Sequence, residues 1–234
     1  MPERHISTLF DLDLDAISGS VLRMGGLAEQ QLLASVQALG QLKGELANEV
    51  LENEVVVNQM EVDIDQRLTS IIARHQPTAK DLRLLISVSK VVANLERIGD
   101  EAARIARTTH RMMSLGLNMH LRRVLDELTM EAQMASDSLR TALDAYARRD
   151  AKLALSVIEA DPAIDREFES ILRMLASYMV EDPRIISNAI DLVFVAKAIE
   201  RVGDHAKNLA KQVIYVINGQ DVRHTSIPGI QAMV

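Results

Sequence analysis

The sequence predicts an all-α protein that consists of two tandem three-helix bundles. Of the 234 residues, 48% are hydrophobic but only 3% are aromatic, and just 10 Gly and 5 Pro are present to interrupt helices. Apolar residues recur every three or four positions in six successive segments. The third and sixth of these segments repeat each other closely. Composition, periodicity and repetition therefore all favour packed helices.

The first half contains three amphipathic segments. The first covers about 14–42, and the second runs from about 45 to 75 and stops before Pro77. The residue before a proline disfavours helical geometry, so the turn belongs there. A sequence similar to a capping box opens the third segment, which covers about 78–113. Gly116 then interrupts the pattern.

The second half repeats that organisation. A fourth segment covers about 121–142, and Asp150 follows as the expected N-cap of the fifth. Pro162 lies inside the fifth segment, where a proline removes a backbone donor, so we expect a kink or a restart of the helix there. The sixth segment covers about 182–218, and the tail 220–234 shows no period and is predicted to be irregular.

An internal repeat relates the two halves. Residues 95–100 (LERIGD) recur as 199–204 (IERVGD), an offset of 104 positions, and the second and fifth segments align at an offset of 100. We therefore predict a first bundle over 1–116, a second over 117–219, and the separate tail.

Charge and composition exclude several classes of function. A formal net charge of −7 without any dense run of Lys and Arg argues against binding to nucleic acid. The absence of Cys excludes disulfides and thiolate metal sites. The N-terminus lacks a signal-peptide pattern, and no apolar run approaches the roughly 20 residues of a membrane span. We expect a cytoplasmic protein that reaches a membrane only through its partners.

Pairs of acidic residues, four positions apart, are the main chemical feature. Four such pairs occur, at Glu61 and Asp65, Glu96 and Asp100, Asp161 and Asp165, and Glu200 and Asp204. This spacing places both carboxylates on one helix face, where two like charges destabilise the helix unless a cation lies nearby. If the second and third helices lie side by side, the first two pairs form an acidic patch. Fe, Zn, Mg or Mn would suit such a patch.

The last two pairs predict an equivalent patch in the second half. His205 follows Asp204 and could add a nitrogen donor, although a solvated histidine is the simpler interpretation. Ordinary surface charge is the alternative for all four pairs, with Arg97 and Arg201 close enough to neutralise them. Gly99 and Gly203 destabilise the middle of a helix, so their repetition indicates close approach of another helix.

Several segments together resemble the PhoU family. They are LERIGDEAARIA and IERVGDHAKNLA, the MGG at 24–26 and the GQDVRH at 219–224. The resemblance covers essentially the whole chain. It implies two tandem three-helix bundles, frequent dimerisation, and metal ions on E(D)-x-x-x-D motifs, which fall on the eight acidic residues above. Pro162 inside the third motif, and Asp161 where other motifs have Glu, favour the first half over the second as a metal site.

The resemblance also implies a function and partners. The family regulates phosphate uptake and the phosphate-starvation response negatively. It links the ATPase subunit of the phosphate ABC transporter to a phosphate-sensing histidine kinase. We therefore expect a non-enzymatic, metal-binding adaptor, working as a homodimer.

The sequence is also compatible with two other functions. A carboxylate-bundle metalloenzyme would also use clustered acids, but the Glu-x-x-His sequence of such di-iron sites is absent from the chain. A purely structural helical oligomerisation module would use the acidic pairs only for solubility.

Overall fold

The computed structural model describes residues 8–115 and 121–234, and these residues form helices and no strands. The helices are α1 (Thr8–Gln41), α2 (Gly44–His75), α3 (Ala79–Leu115), α4 (Arg122–Arg148), α5 (Ala151–Glu181), α6 (Ile186–Asn218) and α7 (Ile227–Gln231). The predicted all-α class with two three-helix units is confirmed. The predicted interruption at Gly116 lies outside the described residues.

The two bundles pack against each other through two helix pairs. In the first half, helices α1, α2 and α3 contact one another. In the second half, helices α4, α5 and α6 do the same. Between the halves, α3 packs on α6 and α1 packs on α4. One cluster of buried residues includes side chains from all six long helices: Val21, Ile64, Leu95, Leu139, Ile171 and Ile199 are examples. The main core is thus continuous across both bundles, and a small second cluster around Ala38, Val50 and Ala102 lies within the first half.

Most helix ends follow from local backbone chemistry. Gln76 follows α2 with φ of 43°, and its N–H donates to the carbonyl of Ile72. Pro77 comes next, where a proline cannot continue the helix. Gly219 ends α6 with φ of 75°, a left-handed conformation that glycine adopts without steric penalty.

The fifth helix confirms one expectation and corrects another. The Asp150 carboxylate accepts hydrogen bonds from the backbone N–H groups of Lys152 and Leu153, so it is the N-cap. The expected restart near Pro162 is wrong, since α5 is continuous through the proline. Ile158 and Ile164 are buried on either side of Pro162, and their packing opposes a proline penalty of about 3 kcal/mol.

The last two segments also differ from expectation. A single 3₁₀ turn, Pro183–Ile185, precedes α6, with the Asp182 carboxylate accepting from the Arg184 N–H. The tail is not irregular throughout, because α7 lies within it and Ile230 is buried. The Asn218 side-chain amide also donates to the Met233 carbonyl at 2.9 Å. A helix of this length is too short to produce a detectable period in sequence.

The two repeated glycines mark close helix contacts. A Cβ on Gly99 would lie 3.3 Å from Val57 Cγ1 of α2, and one on Gly203 would lie 2.9 Å from Ile164 Cδ1 of α5. The predicted close approach is therefore confirmed in both halves. It places α2 directly beside α3, and α5 directly beside α6.

Over the described residues, no helix has both the length and the apolar character needed to cross a membrane.

Candidate metal sites

In the first half, the contact between α2 and α3 brings the acidic residues Glu61, Asp65, Glu96 and Asp100 into one electrostatic neighbourhood. Burial, then the carboxylates of Asp65 and Asp100, raise the pKa of Glu61. Burial, then Asp100 and Glu61, raise the pKa of Glu96. Arg97 opposes both shifts less strongly. The structure therefore forms the predicted acidic patch, with Asp65 and Asp100 exposed and the two glutamates half-buried.

Little within the protein neutralises this first-half patch. The Ser89 hydroxyl of α3 donates to Asp65 Oδ1 at 3.1 Å. Within the described ranges, no Lys, Arg or His nitrogen lies within 4.0 Å of these four carboxylates. The patch thus carries oxygen donors whose charges are not compensated by an internal ion pair.

In the second half, a lysine lies between the corresponding acids. Lys207 Nζ is 2.6 Å from Asp161 Oδ2 of α5 and 2.7 Å from Asp204 Oδ1 of α6. Burial opposes it, but the hydrogen bonds to the two carboxylates raise the pKa of Lys207. Asp161 is only 5% exposed, so it is buried, whereas the sequence predicted that it would lie in a shallow surface patch. This pair of acids is therefore linked through an internal ammonium group.

The other two acids of the second half behave differently from each other. Glu200 Oε2 lies 2.6 Å from Lys197 Nζ, three residues earlier on α6. Lys197 also lies over the ring of Phe168, 5.2 Å from its centroid. Asp165 is exposed on α5. The structure thus brings Asp161 and Asp204 together, and it pairs Glu200 with a lysine.

His205 is not the solvated histidine expected from sequence. It is buried, and its Nδ1 lies 3.0 Å from Asn94 Oδ1 of α3, where it donates to the amide oxygen. Burial, together with Arg97 and Arg201, lowers the pKa of His205 to about 4, so the ring is neutral at pH 7. Its Nδ1 contributes to the α3–α6 contact, and its buried Nε2 has no hydrogen-bond partner within residues 8–115 and 121–234.

The two patches differ in how well they suit a metal ion. Among the described residues, no three His, Asp or Glu side chains are already arranged to hold one ion. The first-half patch has suitable donor chemistry, since hard cations prefer carboxylate oxygens, but its carboxylates do not converge on one point in this structure. In the second half an ammonium group occupies the space between Asp161 and Asp204, so these residues do not fit a metal. Metal ligation by the predicted residues stays a prediction.

Sequence reasoning did not identify the two lysines as parts of the site. Lys197 precedes Glu200 by three residues, and Lys207 follows Asp204 by three. On a helix that spacing allows an ion pair, so a local signal was present. The contact of Lys207 with Asp161 had no such signal, because Asp161 belongs to a different helix.

A buried acid on α4 was also missed. Glu131 is fully buried, and neither of its carboxyl oxygens has a hydrogen-bond partner among the residues that the structure describes. Burial, then the charges of Glu167 and Glu200, raise the pKa of Glu131 to about 9, while Lys197 opposes the shift. The group is therefore a neutral carboxylic acid at pH 7, beside the second-half patch.

The comparisons with known protein families and relatives all identify the same family. The model of the PhoU domain matches residues 21–109 and again residues 128–213, one segment in each half. A Pseudomonas putida protein named phosphate-specific transport system accessory protein PhoU homolog is 44% identical over 230 residues, covering 98% of this chain and 89% of its own length. The Escherichia coli (strain K12) protein named phosphate-specific transport system accessory protein PhoU is 40% identical over 221 residues, covering 94% of this chain and 90% of its own length.

A solved structure agrees with these sequence matches. The crystal structure of PhoU from Pseudomonas aeruginosa has a TM-score of 0.85 and 42% sequence identity to this chain, covering 90% of this chain and 100% of that one. The similarity therefore extends over both bundles.

Proposed function

Because this chain belongs to the PhoU family, we propose that it is a regulatory accessory protein of a phosphate transport system. In this proposal it represses phosphate uptake and the phosphate-starvation response when phosphate is abundant. The names of its relatives from Pseudomonas putida and Escherichia coli support the transport system as the setting. The similarity covers nearly the whole chain, which supports carrying over the role of the entire protein.

The proposed mechanism is that of an adaptor without enzymatic activity. It links the ATPase subunit of the phosphate transporter to a phosphate-sensing histidine kinase in the cytoplasm, and it works as a homodimer. An adaptor needs exposed apolar side chains for its partners. Ile186, Ile190 and Phe194 are exposed at four-residue intervals along α6, so they form one apolar row on its surface.

The proposed cofactor is a metal ion bound to the first-half patch. The observation that carries this part is the set of four crowded carboxylates at Glu61, Asp65, Glu96 and Asp100. Among the described residues none of them forms an ion pair, and Arg97 attracts the two glutamates only from farther away. Fe, Zn, Mg or Mn would relieve the repulsion between α2 and α3 by supplying the missing positive charge.

Partner binding tests the adaptor proposal. The purified chain is mixed with the ATPase subunit and with the cytoplasmic part of the sensor kinase, and complex formation is measured by light scattering. We expect the Ile190→Ala, Phe194→Ala variant to bind at least one partner more weakly. The matched control is Val55→Ala, Val62→Ala, which removes two exposed apolar side chains from α2. Failure of the unaltered chain to bind either partner contradicts the adaptor role.

A regulatory measurement tests the cellular role. A strain that lacks this chain should express a phosphate-starvation reporter even when phosphate is abundant, and the unaltered chain should restore repression. Unchanged reporter expression in the deletion strain argues for the structural-module alternative.

Metal analysis tests the cofactor. The purified chain is dialysed against a weak chelator, and its metal content is compared with that of the Glu61→Gln, Asp100→Asn variant. We expect metal in the first and none in the second. Equal, negligible metal in both contradicts metal binding, and substrate turnover by the metal-loaded chain favours the metalloenzyme alternative.

A further inference from the structure

We infer that Lys207 is a built-in counter-cation that takes the place of a metal ion in the second half of this chain. Metal binding is then confined to the first half, although both halves carry the same acidic motif. This inference rests on the proposed metal binding of the first half.

The repeat supplies the first step of the argument. Asp161 corresponds to Glu61 at the offset of 100 positions, and Asp204 corresponds to Asp100 at the offset of 104. Glu61 and Asp100 are electrostatic neighbours across the α2–α3 contact, just as Asp161 and Asp204 meet across the α5–α6 contact. The two halves therefore present the same pair of acids at the same place.

The residues that could neutralise these acids differ between the halves. At the offset of 104, Lys207 corresponds to Ala103, and Lys197 corresponds to Ala93. An alanine supplies no charge, so within the described part of the chain no lysine contacts the first-half acids, and Arg97 is the cation that acts on them from beyond ion-pair distance. Lys197 and Lys207 both contact acids of the proposed metal motifs. The replacement of two alanines by two lysines thus changes the chemistry of the site while the acids are kept.

The geometry of Lys207 explains how it excludes a metal ion. Its ammonium group has three N–H donors, and two of them reach carboxylates on different helices at 2.6 and 2.7 Å. The side chain of Lys207 is 21% exposed and that of Asp161 is 7% exposed, so water screens this attraction only partly. A metal ion would have to displace an ammonium that already has good geometry. It would also leave that ammonium without its partners.

Lys197 extends the same arrangement to Glu200. Its Nζ contacts Glu200 Oε2 and lies over the Phe168 ring, which holds the ammonium in place from a second side. Three of the four second-half acids therefore contact an internal lysine. Asp165 alone is exposed and has no such contact in the described residues.

Replacing Lys207 tests the inference. The background is the full chain with Glu61→Gln and Asp100→Asn, so that binding to the first half does not contribute. In this background, Lys207→Ala reproduces the alanine of the first half. We expect it to bind Mn²⁺ about tenfold more tightly than the background alone, measured by counting free Mn²⁺ by electron paramagnetic resonance.

Lys211→Ala is the matched control. Lys211 lies one helical turn after Lys207, carries the same charge and contacts the carbonyl of Arg223 instead of a carboxylate. We expect no gain in Mn²⁺ affinity from this change. An equal gain from Lys207→Ala and Lys211→Ala overturns the inference, because it would show a general effect of net charge.

A second measurement covers the case in which Lys207→Ala weakens the fold. Lys207→Met keeps the apolar stem and removes the ammonium, and its thermal unfolding is followed with and without Mn²⁺. We expect Mn²⁺ to raise the midpoint of this variant and to leave the background unchanged. No Mn²⁺ effect on either Lys207 variant overturns the inference.

These experiments separate the inference from the proposed cofactor. If the unaltered chain binds no Mn²⁺, the first-half cofactor proposal fails, while a gain in the Lys207 variants still supports the role of Lys207. If the unaltered chain keeps Mn²⁺ after Glu61→Gln and Asp100→Asn but loses it after Asp161→Asn and Asp204→Asn, the inference is wrong.

Discussion

In the first half, α2 and α3 present four carboxylates that no lysine within the described residues contacts, whereas in the second half Lys197 and Lys207 lie among the corresponding acids. The acidic motif is the same in both halves. What differs is the residue at two helix positions, one three residues before the Glu and one three residues after the Asp of the α3 and α6 motifs. An E(D)-x-x-x-D sequence is therefore not sufficient to specify a metal site, because the side chains around it decide whether its charge is already balanced.

The buried apolar residues through which the helices pack, by contrast, are closely matched between the two halves. Leu95 and Ile199 are repeat partners, and both are fully buried. Gly99 and Gly203 are repeat partners too, and both allow a neighbouring helix to come close. The two halves thus share the same packing, but they differ in the lysines that contact their acids. The following changes test how far each part of that comparison holds.

The largest effect on stability is expected from these buried core positions. Leu95→Ala and Ile199→Ala should each lower the free energy of unfolding by about 2 to 5 kcal/mol, because each leaves a cavity in a fully packed core. Urea unfolding measures both. Since the two positions are equivalent and equally buried, we expect the two losses to agree within about 1 kcal/mol. A much smaller loss for one variant would show that the halves are not equivalent in packing.

The next effect concerns a buried acid of the second half. In the first half, the buried side chain of Gln31 is a neutral amide that donates to the Val50 carbonyl. In the second half, Glu131 is a buried carboxyl group for which the described part of the chain supplies no hydrogen-bond partner. The pKa of Glu131 rises from 4.5 to about 9 on folding. Between these pH values the unfolded chain loses this proton and the folded chain keeps it.

The stability contributed by that proton is therefore complete below about pH 4.5 and is lost as pH rises toward 9. The loss is about 1.4 kcal/mol per pH unit, or roughly 3 kcal/mol by pH 7. Glu131→Gln should remove this slope, as measured by urea unfolding from pH 5 to 9. Glu169→Gln, an exposed acid on α5, is the control and should leave the slope unchanged. A slope that persists in Glu131→Gln contradicts the assignment.

Removing one acidic charge from each patch should change stability by a smaller amount and in opposite directions. Asp161→Asn should destabilise the metal-free protein by about 1 to 2 kcal/mol, because Lys207 loses one of its two charged partners, although burial raises the pKa of Asp161 and so offsets part of that loss. Glu61→Gln should instead stabilise it by up to about 0.5 kcal/mol, since it relieves repulsion between like charges. Thermal unfolding in a chelator distinguishes them. The same sign for both would show that the patches are equivalent.

The smallest effect concerns helix starts. The side chain of Asp150 caps α5, whereas Lys43 at the N-cap of α2 makes no side-chain cap. Asp150→Ala should destabilise the protein by about 1 kcal/mol, and Lys43→Asp should stabilise it by up to about 1 kcal/mol. Both changes are measured by thermal unfolding. No response at Asp150 would mean that packing alone holds the start of α5.

The sequence by itself determined the helices, the repeat and the acidic pairs. Apolar periodicity, prolines and caps act over a few residues, so they can be recognised without knowing how helices pack. The position of Pro77, the cap at Asp150 and the left-handed Gly219 all follow from such local rules. The short α7 was missed because five residues contain too little periodicity to recognise.

Only the tertiary structure decided which charges meet. Asp161 and Lys207 are 46 residues apart, and their contact depends on how α5 lies against α6. The burial of His205 against Asn94, and of Glu131 without a partner, likewise depends on neighbouring helices. Electrostatic and desolvation effects reach across the packed core rather than along the chain. For this reason the two acidic motifs look alike in sequence but differ in the chemistry that they can support.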